Sequence, residues 1–506
     1  MKYTALILML TSVISRIFGF IREILMSNYY GTSQIADVVV IALAVPTVIF
    51  AFLFSSLNTS FIPAYNNIKI NSGLNEAERF TSNLSNVVMV ISIALCLLGI
   101  LFAEPLVFAM ASGFSGEKFE ITVNFVRIAF IGCTFNSIAA IFSGYLNIKG
   151  SYVLPSLRLG AQNVILIIFT LLSVRTNVYM LAIGILVSTI FQNIVIVLGL
   201  KKVGYRHRYT IDIGDKNIKY IIILALPMML GVAVDQINMF VDKTLASRVI
   251  DGGVSILNYA DRINALVYIV VTSIVTVAYP AISKYAIEKN DIELKRSVFK
   301  YIQIILIFCM PVIAAFIVFA EPIVEIIYER GVFSHSDTLK VAACLMVYSL
   351  TIFGVSIREI VSRTFYSLGD SRTPVKNGMI MVIVNSGLSI ILSKYLGLVG
   401  IAYGTAISSI LGSFILTYLL RKKIGKLNIK NFVKNTMIIA GISTLMIVLS
   451  KLLYNWTKMS LDTEKSFFIT VVFGMTIYFA LIILFNISNS RSLVYKIIGK
   501  IGKKVS

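Results

Sequence analysis

The stretch ALILMLTSVISRIFGFIREILM, residues 5–26, is a long apolar run that carries three charged side chains, Arg16, Arg22 and Glu23. A helix that crosses a bilayer needs about 20 mostly apolar residues, and this run is long enough. A charge at the centre of a bilayer costs roughly 2.5–3.5 kcal/mol on insertion scales, so such charges indicate a functional site by default. The stretch therefore predicts a membrane helix with a polar site inside it.

The composition extends this prediction to the whole chain. Of its 506 residues, 58% are hydrophobic and only 14% are charged, whereas soluble domains carry about 25% charged residues. The net charge is +21, but the basic residues lie between apolar runs. This placement favours positive-inside topology and anionic lipid over nucleic acid as the explanation. The four cysteines and two histidines show no paired spacing, so we expect neither disulfides nor a metal site built on cysteine or histidine.

Apolar runs of spanning length recur along the chain and predict about fourteen spans, the first of them a retained helix and not a cleaved signal peptide. The predicted limits are 4–29, 34–62, 83–109, 121–147, 153–174, 178–200, 219–247, 254–282, 298–320, 338–366, 375–394, 397–420, 435–453 and 466–487. Alternate loops are rich in lysine and arginine, which places them and both termini in the cytoplasm. No loop is long enough for a soluble domain. The predicted fold is an all-α integral membrane protein.

A weak internal repeat of about 220 residues divides the spans into two sets. IADVVVIALAVP, residues 35–46, resembles YADRINALVYIV, residues 259–270, and the turn GSYVLP, residues 150–155, resembles GDSRTP, residues 369–374. An even number of spans per copy gives both copies the same orientation. Transporters with such parallel repeats bind substrate where the two lobes meet. We predict six-helix lobes at 1–210 and 211–428, followed by two extra helices and a basic tail at 429–506.

Ionisable and other polar residues inside the spans concentrate at the starts of the two lobes. Span 1 contributes Ser15, Arg16, Arg22 and Glu23, span 2 Asp37, span 7 Asp235, Asn238 and Asp242, and span 8 Asn258, Asp261 and Arg262. Seven residues make nearly two helical turns, so Ser15 lies above Arg22 and Arg16 lies above Glu23 on the helix surface. The two stripes are adjacent and give span 1 one broad polar face. We expect the polar faces of spans 1, 2, 7 and 8 to converge.

Three arginines, Arg16, Arg22 and Arg262, favour an anion site, because the planar guanidinium donates two hydrogen bonds to one phosphate. The alternative is internal neutralisation, with Glu23, Asp37 and Asp261 as the partners of the arginines. Asp37 also follows a short loop and fits an interfacial helix cap equally well. In span 10, Glu359 and Arg363 are four residues apart, which favours a helix ion pair over a binding role.

These residues occur in segments that resemble the MurJ (MviN) family of lipid II flippases in the MOP exporter superfamily. The matching segments are SRIFGFIREILMSNYYG, ADVVVIALAVP and SFIPAY, then LPMMLGVAVDQINMFVDKTLAS, NYADRI, YPAISKYA, ERGVFSHSDT and FYSLGDSRTPVKNG. They cover most of spans 1–2 and 7–12 in the family's order and spacing. The resemblance implies fourteen helices in two lobes around a cationic cavity, and two extra helices that form a groove for the lipid tail.

The same resemblance implies a function in the bacterial cytoplasmic membrane. Members of the family move lipid II, the undecaprenyl-diphosphate-linked peptidoglycan precursor, from the inner to the outer leaflet by alternating access, without an enzymatic reaction. The implied headgroup residues are Ser15, Arg16, Arg22, Asp37, Asp261 and Arg262, and an implied cation site falls on Asp235, Asn385, Ser389 and Thr405. The expected driving force is a Na+ or H+ gradient or the membrane potential, with no organic cofactor. The expected partners are lipid II, membrane lipids and other cell-wall synthesis proteins.

Two departures from the family pattern keep alternatives open. Many members carry two arginines in span 2, where this chain has Phe50 and Ala51, and Ser389 replaces a carboxylate at the cation site of some members. A flippase for another lipid-linked oligosaccharide is therefore the nearest alternative. An ion-coupled drug exporter fits an arginine-lined site less well. A membrane glycosyltransferase would need catalytic carboxylates on a sizeable loop, and the outer loops are short.

Overall fold

The computed structural model describes residues 2–425 and 429–485. Inside its helices, the side chains of residues 2–10, 12, 52–56, 58, 59, 223–228, 230–235 and 429 lie outside that description. Within the described ranges the chain forms sixteen helices and no strand. They are α1 Lys2–Tyr30, α2 Gln34–Ser72, α3 Leu74–Leu101, α4 Ala103–Met110, α5 Gly116–Ile148, α6 Val153–Arg175, α7 Tyr179–Lys202, α8 Lys216–Val249, α9 Gly253–Ile287, α10 Asp291–Val318, α11 Ala320–Tyr328, α12 His335–Ser367, α13 Arg372–Leu396, α14 Leu398–Ile424, α15 Ile429–Lys458 and α16 Thr463–Leu484.

Twelve of the described helices are long and apolar enough to cross a membrane. They are α2, α3, α5, α6, α7, α9, α10 and α12 to α16. The two other predicted spans are occupied by α1 and α8, of 29 and 34 residues, each with part of its side chains outside the description. The all-α membrane fold is confirmed, while the count of fourteen spans and the inward termini stay predictions.

A short helix follows the third span of each predicted lobe. The predicted span 83–109 runs across the first of these breaks, whereas the predicted span 298–320 ends at the second. α3 gives way to α4 at Phe102, and α10 gives way to α11 at Phe319, with nearly the same backbone angles at both breaks. The sequence repeats here as Phe-Ala-Glu-Pro, at residues 102–105 and 319–322. A proline in the first turn of a helix is tolerated because its missing N–H has no helical partner there. This repeat is closer than those we used to predict the two lobes.

The predicted turns at Gly150 and Gly369 are confirmed as matching features. Each lies between two long helices, and each glycine has a left-handed backbone, with φ of 80° and 73°. Only glycine adopts this conformation without a steric penalty, which explains why both turns contain it. The chain divides into two compact units, residues 1–255 with 330–334 and residues 256–329 with 335–506. α8 falls in the first unit, so a lobe boundary at residue 210 stays a prediction.

The first unit has an aromatic core between α2, α3 and α5. Phe61 stacks on Phe80 with ring centroids 6.2 Å apart, and Tyr65 meets Tyr145 edge-on at 5.9 Å. All four rings are fully buried. In the same unit, α1 and α6 run parallel, since Thr11 bonds Ser156 near their starts and Tyr30 bonds Ser173 near their ends. The parallel pair agrees with predicted spans 1 and 5.

The second unit is built on α12, which packs against α10 and α14 and has 67% of its most apolar segment buried. The two helices beyond the repeat, α15 and α16, pack on each other and on α10 and α11. Tyr478 of α16 donates a hydrogen bond of 2.6 Å to the carbonyl of Ile307 in α10, and Phe319 meets Tyr454 of α15 at 5.4 Å. The extra helices are therefore part of this unit.

We expect Gly400→Ala to destabilise the second unit. A Cβ atom at Gly400 would lie 2.2 Å from the carbonyl oxygen of Leu392, and overpacking of a helix contact costs typically about 1–3 kcal/mol. Gly387→Ala is the matched control, because a Cβ there meets nothing within 4 Å and alanine favours helix by about 1 kcal/mol. Thermal unfolding in detergent should show a lower midpoint for Gly400→Ala only. Equal midpoints for the two variants would contradict the tight contact.

Candidate functional site

The polar face of α1 starts at a close contact with α6. The Ser15 hydroxyl donates to the Ser156 carbonyl at 3.0 Å, and Gly160 lies directly against the same side chain. One turn later, Asn163 packs over Gly19. Small residues allow helices to approach this closely in membranes. Ser15, which we predicted in the headgroup site, is thus buried in a helix contact.

The two arginines of α1 have different surroundings. Arg22 pairs with the carboxylate of the next residue, Glu23, and both side chains are mostly buried, at 18% and 9% exposed. Arg16 is exposed, and among the described residues no ion pair is recorded for it. The sequence placed Arg16 and Glu23 on one stripe, yet Glu23 forms an ion pair with its neighbour Arg22. Internal neutralisation therefore applies to Arg22 through Glu23.

Asp37 lies at the centre of a second buried polar cluster. Its carboxylate is fully buried and accepts from Lys118 Nζ at 2.9 Å, from the Gly252 N–H at 2.9 Å and from the Ser255 N–H at 2.7 Å. The two N–H groups belong to the turn before α9 and to the first turn of that helix, where backbone donors lack helical partners. The geometry favours the capping interpretation of Asp37, although the helix that it caps is α9 and not its own.

Lys118 joins Asp37 to a second carboxylate, that of Asp251. The ammonium is 3.0 Å from Asp251 Oδ1 and lies over the Phe114 ring, 3.9 Å from its centroid. Asp251 itself is largely exposed, and the hydrogen bond from Lys118 lowers the pKa of Asp251 below its ordinary value. The adjacent Gly252 has φ of 79°, and a Cβ there would lie 2.1 Å from the Thr32 carbonyl. The turn thus requires glycine to bring its N–H to Asp37.

Our sequence reasoning missed Lys118 and its second partner, Asp251. We predicted the loop of Lys118 on the outer side of the membrane, where lysine is scarce in this chain. A lone lysine at the start of a span on that side is the signal that would have found it, because the positive-inside rule gives it no topological role.

The residues predicted on the second lobe are positioned differently. Asp261 and Arg262 lie on α9 in the second unit, and both side chains are exposed. Asp37 stands in the first turn of its helix, whereas Asp261 is nine residues into α9. The Ala-Asp repeat therefore does not mark equivalent helix positions. Glu359 and Arg363 form the predicted ion pair, with 3.8 Å between Oε2 and Nη2.

Three of the four predicted cation-site residues come together in the second unit. Ser389 Oγ donates to Asn385 Oδ1 at 3.3 Å and lies 3.5 Å from the Ile401 carbonyl, and Thr405 Oγ1 donates to that carbonyl at 3.2 Å. The side chain of Asp235 lies outside the described residues. The oxygens described here are neutral, which fits a monovalent cation better than a divalent one, since Ca2+ and Mg2+ sites use carboxylates.

The two positions where span-2 arginines were expected are in the core of the first unit. Phe50 is fully buried with its ring 6.3 Å from that of Phe130, and Ala51 is 8% exposed. An arginine at either position would need to displace this packing. The departure from the family pattern therefore matches an apolar environment in this chain.

Comparison with known proteins agrees with these features. A family model described as "Lipid II flippase MurJ" matches residues 26–467. A probable lipid II flippase MurJ of Rickettsia prowazekii (strain Madrid E) is 28% identical over 500 residues, 96% of this chain and 98% of the relative. A lipid II flippase MurJ of Burkholderia cenocepacia is 26% identical, over 81% of this chain and 82% of the relative.

Solved structures give the same result for the fold. A structure titled "Lipid II flippase MurJ, inward closed conformation" superposes with a TM-score of 0.82 and 26% identity, covering 97% of this chain and all of that one. An inward-facing multidrug resistance MATE transporter of the MOP superfamily has a TM-score of 0.71 at 15% identity, which shows a shared fold alone. Since the family model covers most of the sequence, this chain is a member of the MurJ lipid II flippase family.

Proposed function

We propose that this chain moves lipid II from the inner to the outer leaflet of the bacterial cytoplasmic membrane by alternating access. The observation that carries the proposal is the match to a lipid II flippase over 97% of the chain at a TM-score of 0.82. The physical problem agrees with it. A diphosphate with a sugar-peptide head cannot cross hydrocarbon unaided, because its polar groups would lose their hydrogen bonds to water.

The arginines of α1 are the groups that we assign to the diphosphate. Arg16 is exposed and Arg22 is held beside Glu23, and a guanidinium binds phosphate with two parallel hydrogen bonds. Arg262 on α9 stays a predicted headgroup residue. We propose that Asp37 and Ser15 support the site without contacting the diphosphate, because each side chain already bonds to a neighbouring helix. We propose that the chain transports lipid II without changing it chemically. The protein partners that we propose are other cell-wall synthesis proteins, which deliver lipid II to the chain or use it afterwards.

For the driving force we propose a monovalent cation bound near Asn385, Ser389 and Thr405, together with the membrane potential. The cluster of neutral oxygens supports the cation. The potential supplies about 2.3 kcal/mol for each charge moved through 100 mV, which is enough to bias the return of an unloaded cationic site.

The test is a flipping assay in proteoliposomes with fluorescent lipid II. We expect protein-dependent movement of lipid II, competed by unlabelled lipid II and weakly by an undecaprenyl-linked glycan without the peptide. Replacing Na+ by a large organic cation, or collapsing an imposed potential, should slow the movement. Movement of the other glycan in preference to lipid II would overturn the proposed substrate. Rates independent of both Na+ and potential would overturn the proposed driving force.

A further inference from the structure

The connection between α7 and α8 contains a segment, residues 206–213, that is fastened to α3 by side chains of that helix. The Asn83 amide forms two hydrogen bonds with the backbone of Asp212, donating to its carbonyl at 2.9 Å and accepting from its N–H at 2.8 Å. The Asn86 amide donates to the carbonyls of Arg208 and Thr210, both at 2.9 Å. We call residues 206–213 the docked segment.

The contacts with α3 satisfy backbone groups that an extended loop normally leaves to water. The Arg208 N–H donates to Ser82 Oγ at 3.3 Å, so both the N–H and the carbonyl of Arg208 have partners on α3. Unpaired backbone groups keep irregular chain out of the apolar part of a bilayer. The docked segment therefore meets a condition for lying at the border of the hydrocarbon.

The exposed side chains of the docked segment include both apolar and basic groups. His207 Nε2 lies 2.8 Å from Asn86 Oδ1 of α3, and the Tyr209 ring meets the His207 ring edge-on with centroids 5.1 Å apart. Tyr209, Ile211 and Ile213 are nevertheless 94%, 61% and 65% exposed. Arg206 and Arg208 are exposed as well. The exposed surface thus combines basic with aromatic and aliphatic side chains, the combination found in segments that lie in the plane of a membrane interface.

The position of the docked segment along α3 gives its depth. Val90, Ile93 and Leu97 of α3 are exposed apolar residues on a spanning helix, which marks them as facing lipid. Asn86 lies four residues before Val90, which is about 6 Å along a helix axis. The docked segment is therefore level with the border of the apolar belt on the basic, cytoplasmic side. The surrounding residues 201–219 contain six basic and two acidic side chains.

We propose that the docked segment is an interfacial anchor, with Tyr209, Ile211 and Ile213 inserted between lipids and Arg206 and Arg208 bound to anionic phospholipid headgroups. Basic clusters next to a span attract anionic lipid electrostatically. The apolar side chains add a contact that a purely electrostatic patch lacks. The anchor holds the connection between α7 and α8 against α3 and the bilayer, and it is separate from the site that we assign to lipid II.

The depth of residue 209 is measured with a tryptophan in the full-length protein in nanodiscs. The chain has one tryptophan, Trp456, so Trp456→Phe provides a background for Tyr209→Trp. We expect the new tryptophan to emit at a shorter wavelength than a tryptophan exposed to water. In lipids brominated on their acyl chains it should lose about half of the intensity that it has in unbrominated lipids, since interfacial segments reach about 5–10 Å into the headgroup boundary. Ile70→Trp is the control, since Ile70 is 82% exposed in the last turn of α2. The next helix, α3, begins at Leu74, about 18 Å along its axis before Asn86.

The charge requirement is measured with the same reporter. Nanodiscs with phosphatidylglycerol should quench the tryptophan at 209 more strongly than nanodiscs of phosphatidylcholine alone. Arg206→Gln with Arg208→Gln should remove that difference. Lys284→Gln with Lys289→Gln, at the end of α9 and just after it, should preserve it. Quenching at 209 no greater than at 70 would overturn insertion and leave a cytoplasmic protein as the partner of this surface. Equal quenching in the two lipids would overturn the anionic preference.

Discussion

Asp37→Asn should lower both the stability and the transport rate of this protein more than any other substitution of a single polar atom in the first unit. The Asp37 carboxylate is fully buried and accepts from Lys118, Gly252 and Ser255. Asparagine replaces one acceptor oxygen by an NH2 group. If that group takes the place of Oδ2, it faces the donors of Lys118 and Gly252, and removing one partner of a buried ion pair costs about 3–5 kcal/mol.

The measurement is thermal unfolding of the purified protein together with lipid II flipping. Asp251→Asn is the matched control, since it removes the other carboxylate bonded to Lys118. Asp251 is 71% exposed, and exposed ion pairs contribute about 0–1 kcal/mol. Asp37→Asn combined with Lys118→Met should recover part of the lost stability, because no buried charge is then left unpaired. A midpoint for Asp37→Asn equal to that of Asp251→Asn would show that the buried pair does not stabilise the unit.

The membrane fold could be predicted because hydrocarbon imposes a simple rule on the sequence. Every spanning segment must be apolar and helical, so composition alone locates the helices. The break at Phe102 was missed for the same reason, because α4 is as apolar as the span that precedes it. Hydropathy cannot distinguish a continuous span from a span followed by a short helix.

The contacts of the polar residues could be predicted only in part. Glu359 and Arg363 are four residues apart, a spacing at which helical side chains meet, and they do form a pair. Arg22 and Glu23 are adjacent, a spacing at which side chains on a helix diverge, yet they pair as well. Asp37 and Lys118 are 81 residues apart in sequence. Only the packing of α2 against α5 brings these two together, and no local pattern encodes it.

Arg22→Ala is the second substitution with a large expected effect, a loss of about 100-fold in lipid II flipping. A hydrogen bond to a charged group contributes about 1.5–3 kcal/mol, and a bidentate guanidinium–phosphate contact contains two. Arg22→Lys keeps the charge but loses the fork, so we expect an intermediate rate. The rate is measured with fluorescent lipid II in proteoliposomes, at equal amounts of folded protein.

A loss of transport in Arg22→Ala has two physical explanations, and Glu23 separates them. The variant leaves the buried Glu23 side chain, at 9% exposed, without its arginine partner Arg22, so misfolding alone would also abolish transport. Arg22→Ala combined with Glu23→Gln removes that charge, and we expect the unfolding midpoint to recover while flipping stays low. Glu23→Gln alone should bind lipid II more tightly, because the diphosphate no longer competes with a carboxylate for Arg22. Native flipping by the double variant would contradict the phosphate role, since stability would then account for the whole loss.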